Sequence, residues 1–393
     1  MTATLSSASE SLLGVYRRPP AEFVSGSGVE LVDAEGKRYL DFVAGIAVNA
    51  LGYGDPGLDR AFRDAMEGSL IHVSNLYRSQ AGERLAEQLT EKSFADRVFF
   101  CNSGAEANEG AFKMARRWGR AQGGSPKHEI ISLRGGFHGR LFGTLAATDR
   151  PQYRAPFRPL AGGISIVERD LDDLRTALNP DTVAAVIVEP VQGEGGVRVL
   201  DPAFMRGLRA LTQERNVLLI LDEIQCGYGR TGQLWAYEQS GIAPDILTIA
   251  KPMAGGLPMG AVLATADAAG AMQPGDHGTT FGGGPFVSSV ALHVLDRVSD
   301  PAMLAHVRTR GAELQSALSD LQASSQKIRA VRGTGLIWGI DVAESAADIV
   351  ARSLDLGLLI CSAGEYTLRL IPPLVLSAAD LQRGVGLLRK AIG

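Results

Sequence analysis

An alternation of segment types constrains this chain more than any other feature. Short apolar runs rich in β-branched, aliphatic and aromatic residues recur along it: RVFFC (97–101), EIISL (129–133), VAAVIVEP (183–190), VLLILDE (217–223), ILTIA (246–250) and AVLAT (261–265). Patterns of helical periodicity lie between them, over Ser79–Glu91, Ser103–Trp118, Asp170–Leu178 and Pro202–Glu214. A strand buried on both faces needs a continuous apolar run, and a mostly parallel sheet covered by helices on each side buries strands in that way. The expected fold class is therefore α/β, with a doubly wound core spanning residues 50–285.

The ends of the chain read differently. GVELVDAEGKRYLDF (28–42) has the form of a hairpin with its turn at Asp33–Gly36. After the glycine-rich FGGGP (281–285) come long helical segments, then GTGLIWGIDV (333–342), LGLLICSAG (356–364), TLRLIPPLV (367–375) and a final helix to Ile392. At 393 residues the chain exceeds the size at which one core commonly divides. The expectation is a smaller α+β domain built from both termini, residues 1–49 and 286–393. The polar start of the chain is expected to form a loose arm.

Charge and cysteine usage exclude several function classes. A net charge of −4 with scattered basic residues offers no field for nucleic acid or anionic lipid. The three cysteines, Cys101, Cys226 and Cys361, form no CxxC, and the six histidines show no paired spacing, so no metal site is expected. No segment reaches the length of a membrane span. A cytoplasmic, soluble protein with reduced thiols is the expectation.

In open α/β sheets, ligands bind beyond the carboxyl ends of the strands. RVFFC is followed by Asn102, then Ser103-Gly104-Ala105-Glu106, an S-x-x-E capping box with small residues over the first helical amides. Such a helix start suits a phosphate, although the same box caps many helices that bind nothing. EIISL is followed by RGGFHGR, which brings Phe137 for stacking and Arg140 for clamping a carboxylate. VAAVIV ends in Glu189, VLLIL in Asp222 and Glu223 with Gln225 beyond, and ILTIA in Lys251. A lone lysine there would ordinarily be a solvated surface residue; shared with these acids and an arginine, it points to chemistry. A buried carboxylate without a partner is costly, so Asp222 needs a cation. An amine, a carboxylate for a ring nitrogen, an aromatic face and an anion-binding helix start are together what pyridoxal 5′-phosphate needs. A nicotinamide dinucleotide fits less well, since no G-x-G-x-x-G follows a first strand with an acid about twenty residues on.

SGAEANE (103–109), FHGR (137–140), EPVQGEGG (189–196), LDEIQCGYGRTG (221–232), IAKPMAGGLPMGA (249–261) and GTTFGGGP (278–285) stand in an order and spacing that resembles the class III, fold-type I aminotransferases, from VYRRPP to LRLIPPL. The resemblance implies a pyridoxal phosphate enzyme with Lys251 as the Schiff-base lysine and proton shuttle. It implies Asp222 against the pyridinium nitrogen, Gln225 at the phenolic oxygen, Phe137 on the ring, and Ser103, Gly104 and Ala105 at the phosphate. Thr280 is implied to reach the phosphate of a neighbouring subunit, with Thr279 beside it near the substrate, in a homodimer with shared sites. Arg140 is implied to hold the α-carboxylate of an acylated amino donor. Glu189 is implied to mask Arg369 and then release it for the α-carboxylate of 2-oxoglutarate.

Within the class, the pattern is most similar to members that move the δ-amino group of N2-acetylornithine. Succinylornithine, ornithine, 4-aminobutyrate and N-succinyldiaminopimelate are the rival donors. Gly45 stands where ornithine-specific members carry tyrosine. Two further departures are Gly284, where the family has Asn before Pro285, and Gly52-Tyr53-Gly54-Asp55-Pro56 in place of GHxHP.

Overall fold

The computed structural model describes residues 11–16 and 18–393. Most of the loose arm expected at the start lies outside the described residues. The centre is a seven-stranded sheet in the order Arg97–Cys101, Gly260–Ala264, Ile246–Ile249, Leu218–Asp222, Val183–Val188, Glu129–Leu133 and Ile164–Val167. All neighbours pair in parallel except Gly260–Ala264, which is antiparallel to both of its neighbours. Every residue of Val183–Val188 and of Leu218–Asp222 is buried, as continuous apolar strands require. Each such aliphatic side chain contributes roughly 1.5–3 kcal/mol by leaving water. The outer strand Ile164–Val167 escapes a periodicity reading, because it is short and one of its residues faces solvent.

The parallel arrangement matters for function. It delivers Cys101, Leu133, Val188, Asp222 and Ile249 to one edge of the sheet, so the residues that follow them converge there. The helix Gly104–Gly123 starts at this edge with Ser103 as its N-cap. Helices Gln80–Glu91, Leu171–Ala177 and Pro202–Glu214 form where periodicity placed them, each opened by a Ser or Asp side chain that accepts from a first-turn amide.

Both termini build two four-stranded sheets, and a two-stranded sheet, Val191–Gln192 with Arg198–Val199, comes from the middle of the chain. Phe23–Ser27, Glu30–Asp33 and Arg38–Asp41 form an antiparallel meander, and Leu358–Leu359 joins Arg38–Asp41 in parallel. A second sheet runs Ile328–Thr334, Ile337–Val342, Thr367–Leu370 and Cys361–Ser362. The final helix is Ala378–Ile392.

The segment after the meander is strained. Ala44, Gly45, Ile46 and Ala47 all have positive φ, between 50° and 67°, which makes a left-handed turn. Only the glycine adopts this readily; the other three cost on the order of 1–2 kcal/mol each. Asp41 holds the turn: its Oδ1 accepts from the amides of Val43 and Ala44 at 2.7 and 2.9 Å, and its Oδ2 accepts from the Tyr53 hydroxyl at 2.6 Å. Tyr53, which departs from the family pattern in the 52–56 loop, thus has a structural task at a half-buried place. Asp55 caps the helix Pro56–Glu67 and pairs with Arg297 at 3.0 Å. Gly284 is the N-cap of Pro285–Val298 and, lacking a side chain, leaves that helix start uncapped.

Candidate active site

The carboxylate of Asp222 sits at the end of its strand, only 4 % exposed. Oδ2 accepts from Asn108 Nδ2 at 2.7 Å and from His138 Nδ1 at 2.9 Å, while Oδ1 accepts from the Ile224 amide at 3.1 Å. A carboxylate has about four lone-pair sites, so room for one more donor remains. Asn108 is itself fixed, with Nδ2 also donating to the His138 carbonyl and Oδ1 accepting from Thr248 at 2.7 Å. Sequence reasoning misses Asn108 and His138 as partners of Asp222, although both lie inside its motifs. Their signal is burial, which only the fold reveals: His138 Nε2 is enclosed with no hydrogen-bond partner among the described residues.

The loop that carries His138 lies against the helix start. Gly139 has φ +136°, and a Cβ there would meet Ala105 Cβ at 2.8 Å and Thr144 Oγ1 at 2.7 Å, so only glycine permits the approach. At the helix start Ser103 Oγ accepts from the Glu106 amide at 3.2 Å, and Glu106 Oε2 accepts from the Asn102 amide at 2.6 Å. The amides of Gly104 and Ala105 have no intrahelical acceptor and sit at the positive end of a long helix. Asn102 Nδ2 also donates to Thr279 Oγ1 at 2.9 Å, which ties GTTFGGGP to the same corner. Thr280 is exposed next to it. Phe137 is half-buried, and Arg140 is exposed with its guanidinium 3.7 Å from the Tyr153 ring centre.

Lys251 is half-buried beyond the strand Ile246–Ile249. Burial, and then the Arg369 charge, hold its amine below the usual lysine range, against opposing pulls from Glu194, Asp222 and Glu189. An amine that sheds its proton more easily is a better nucleophile and base.

The expected pairing of Glu189 with Arg369 is not formed. Glu189 bridges two loops, with Oε1 accepting from the Phe137 amide of the RGGFHGR loop at 2.7 Å and Oε2 from the Gly193 amide of its own loop at 3.3 Å. Burial pushes its carboxyl up to about 7. Arg369 instead pairs with Glu194 at 2.6 Å, and its Nη1 donates to Gln225 Oε1 at 3.2 Å. The reason is reach: the turn after Val191–Gln192 brings Glu194 to the guanidinium, while Glu189 is spent on amides nearer its strand. The Arg369 side chain is only 2 % exposed, whereas that of Glu194 is 29 % exposed, so the carboxylate is the partner nearer solvent.

Glu223 has a structural place. Its oxygens accept from the amides of Ala236 and Tyr237 at 2.6 and 2.8 Å, closing the loop after GYGRTG, and burial pushes it up to about 8. Among the described residues no cluster of His, Cys, Asp and Glu could hold a metal ion. No described helix is long and apolar enough to cross a membrane.

An amine of weakened basicity and a fixed carboxylate at one sheet edge, with a separately masked guanidinium brought in from a second sheet, are the equipment of an enzyme that passes an amino group between carboxylate-bearing molecules. The chain matches the family described as Aminotransferase class-III over residues 16–392 and belongs to it. Among its relatives, acetylornithine aminotransferase 1 of Bradyrhizobium diazoefficiens is 42 % identical, covering 100 % of this chain and 96 % of its own length. The crystal structure of N-acetylornithine aminotransferase from Stenotrophomonas maltophilia matches with a TM-score of 0.83 at 36 % identity, over 95 % of both chains. The ornithine aminotransferase of Toxoplasma gondii superimposes with a TM-score of 0.93 at 30 % identity, over 97 % of this chain and 92 % of that one.

Proposed function

We propose that the enzyme transfers the δ-amino group of N2-acetylornithine to 2-oxoglutarate, using pyridoxal 5′-phosphate. The observation that carries the cofactor reading is Asp222, whose carboxylate accepts three donors and keeps one site for a cationic ring nitrogen. The bare amides of Gly104 and Ala105 at a helix start suit its phosphate, and half-buried Phe137 suits its ring. When bound, the cofactor supplies an electron sink for the carbon that loses its proton.

The chain's own residues do the rest. Asn108 and His138 hold the Asp222 charge in place, so the ring nitrogen meets a preorganised anion rather than one that must reorient. Lys251 would hold the cofactor through its amine, and its lowered basicity favours the neutral form that taking up a proton needs. Arg140 holds the α-carboxylate of the acylated donor. Glu194 neutralises Arg369 during that half of the cycle and withdraws to admit the α-carboxylate of 2-oxoglutarate. Gln225 accepts from the guanidinium and would also hold the cofactor's phenolic oxygen.

The acetylated donor is favoured over ornithine by Gly45, which sits in the left-handed turn at φ +62°. Ornithine-specific members carry a tyrosine at this place to hold the free α-amino group; glycine offers no such contact and leaves room for an acylated one. A homodimer is part of the reading. Leu70, Ile71, Leu76, Tyr77 and Phe281 are all more than half exposed, and the His72 and Phe281 rings lie 5.3 Å apart, so the two stretches share a surface. Apolar exposure of this kind marks an interface, and exposed Thr280 borders it.

Half-reactions test the assignment. The purified holoenzyme is mixed in turn with N2-acetylornithine, N2-succinylornithine, ornithine and 4-aminobutyrate while the cofactor's visible absorbance is followed. Acetylornithine should discharge the absorbance fastest. Faster conversion by ornithine or 4-aminobutyrate overturns the substrate reading, and a protein that never binds the cofactor overturns the whole.

A further inference from the structure

Arg369 lies in the strand Thr367–Leu370, and the residues opposite it on the two flanking strands differ sharply. On one side is Gly339, which has no side chain and no space for one: a Cβ there would meet Val197 Cβ at 2.9 Å. On the other side is Cys361, directly paired with Arg369 in the antiparallel register. Lateral support from a facing residue can therefore come only from Cys361. Its sulfur lies 3.9 Å from the Arg369 carbonyl oxygen, toward which the thiol donates, and 3.4 Å from Arg369 Nε, from which it accepts. One half-buried thiol thus brackets the arginine at both backbone and side chain.

The geometry of the guanidinium makes this consequential. A carboxylate can be bound in two parallel hydrogen bonds by the Nη1/Nη2 end or by the Nε/Nη2 side. Nη1 faces Glu194 at 2.6 Å and Gln225 at 3.2 Å, while Nε is occupied by sulfur. We infer that Cys361 is a positioning residue for Arg369: by holding Nε, it presents the Nη1/Nη2 end to whichever carboxylate replaces Glu194. The inference rests on reading Arg369 as the seat of the 2-oxo acid carboxylate. It concerns this chain's own cysteine, which acts through the arginine and touches neither substrate nor cofactor.

Steady-state and single half-reaction kinetics of the holoenzyme separate the possibilities. Cys361→Ala removes sulfur and volume; Cys361→Val keeps bulk but not the acceptor; Cys361→Ser keeps an acceptor with a shorter reach. A lost hydrogen bond of ordinary strength predicts a KM for 2-oxoglutarate raised roughly two- to tenfold in Ala and Val alike, with Ser in between. The donor half-reaction, in which Glu194 covers Arg369, should stay within about twofold of wild type and so serves as the check on folding. If Val matches wild type, the sulfur is only packing and the inference is overturned. It is equally overturned if donor and acceptor constants rise together. Arg369→Gln is the control: if it leaves the 2-oxoglutarate KM unchanged, the carboxylate assignment fails. If it raises KM while Cys361→Ala and Cys361→Val do not, only the role of Cys361 fails.

Discussion

Asp222 and Arg369 carry opposite charges in one site, and the molecule treats them in opposite ways. Asp222 ends a strand buried along its whole length, and its two oxygens are held by Asn108, His138 and the Ile224 amide. Arg369 belongs to a four-stranded sheet made by the C-terminal part of the chain, and its counter-charge is a partly exposed glutamate on the turn between Val191–Gln192 and Arg198–Val199. The difference teaches how the two charges are held. The carboxylate is fixed by three donors on the sheet edge and its neighbouring elements, and the buried guanidinium is matched by a carboxylate nearer solvent, as the proposed exchange of partners at Arg369 needs.

The comparison can be broken at several points. Lys251→Ala should cut turnover by about two to four orders of magnitude, since general acid–base work is worth roughly 10²–10⁴; turnover and borohydride labelling of the protein measure it. Asp222→Asn should lower kcat by about 10²–10³, as removal of a preorganised electrostatic group does. If it costs less than tenfold, the fixed side of the comparison is wrong. Glu194→Gln should raise the donor KM by about tenfold, the size of one lost charge-assisted contact, and let 2-oxoglutarate compete with the donor. Glu189→Gln should not produce that competition, which is read from inhibition patterns at varied 2-oxoglutarate.

Glu223→Gln tests the neighbour that only holds structure. One acceptor is lost to two buried amides, so unfolding stability should fall by about 1–3 kcal/mol. The folded carboxyl is raised to about 8 from an ordinary 4.5. In the folded state it binds the proton more tightly than when unfolded, so its contribution is greatest below pH 4.5 and is lost as pH rises towards 8. The gap between wild type and variant should therefore narrow from pH 5 to pH 8 in denaturant titrations. Smallest of all, Gly284→Asn should add a few tenths of a kcal/mol by capping Pro285–Val298. A Cβ at this position would meet its neighbours at ordinary contact distance, the nearest being 3.5 Å away.

The central sheet and its functional edge were legible because burial on two faces demands an unbroken apolar run. Leu218–Asp222 reads as such a strand without any tertiary knowledge, and the acid at its end is conspicuous for the same reason. Capping at Ser103 was legible because it is local, closed within four residues. The left-handed turn at 44–47 was not, since Ala and Ile prefer right-handed backbone and only Asp41 and Tyr53 hold them otherwise. Glu223 was silent for a similar reason: its acceptors serve amides at 236 and 237, brought to it by the fold.

Sequence alone therefore determined the α/β class, the edge where chemistry gathers, and the residue types present there, because those follow from period, burial and local capping. Tertiary structure decided which charge meets which. EPVQGEGG holds two glutamates five positions apart, and either could have met Arg369. A turn gave Glu194 to the arginine and left Glu189 on backbone amides, for side-chain reach across a fold is set by where loops turn, and no periodicity records that.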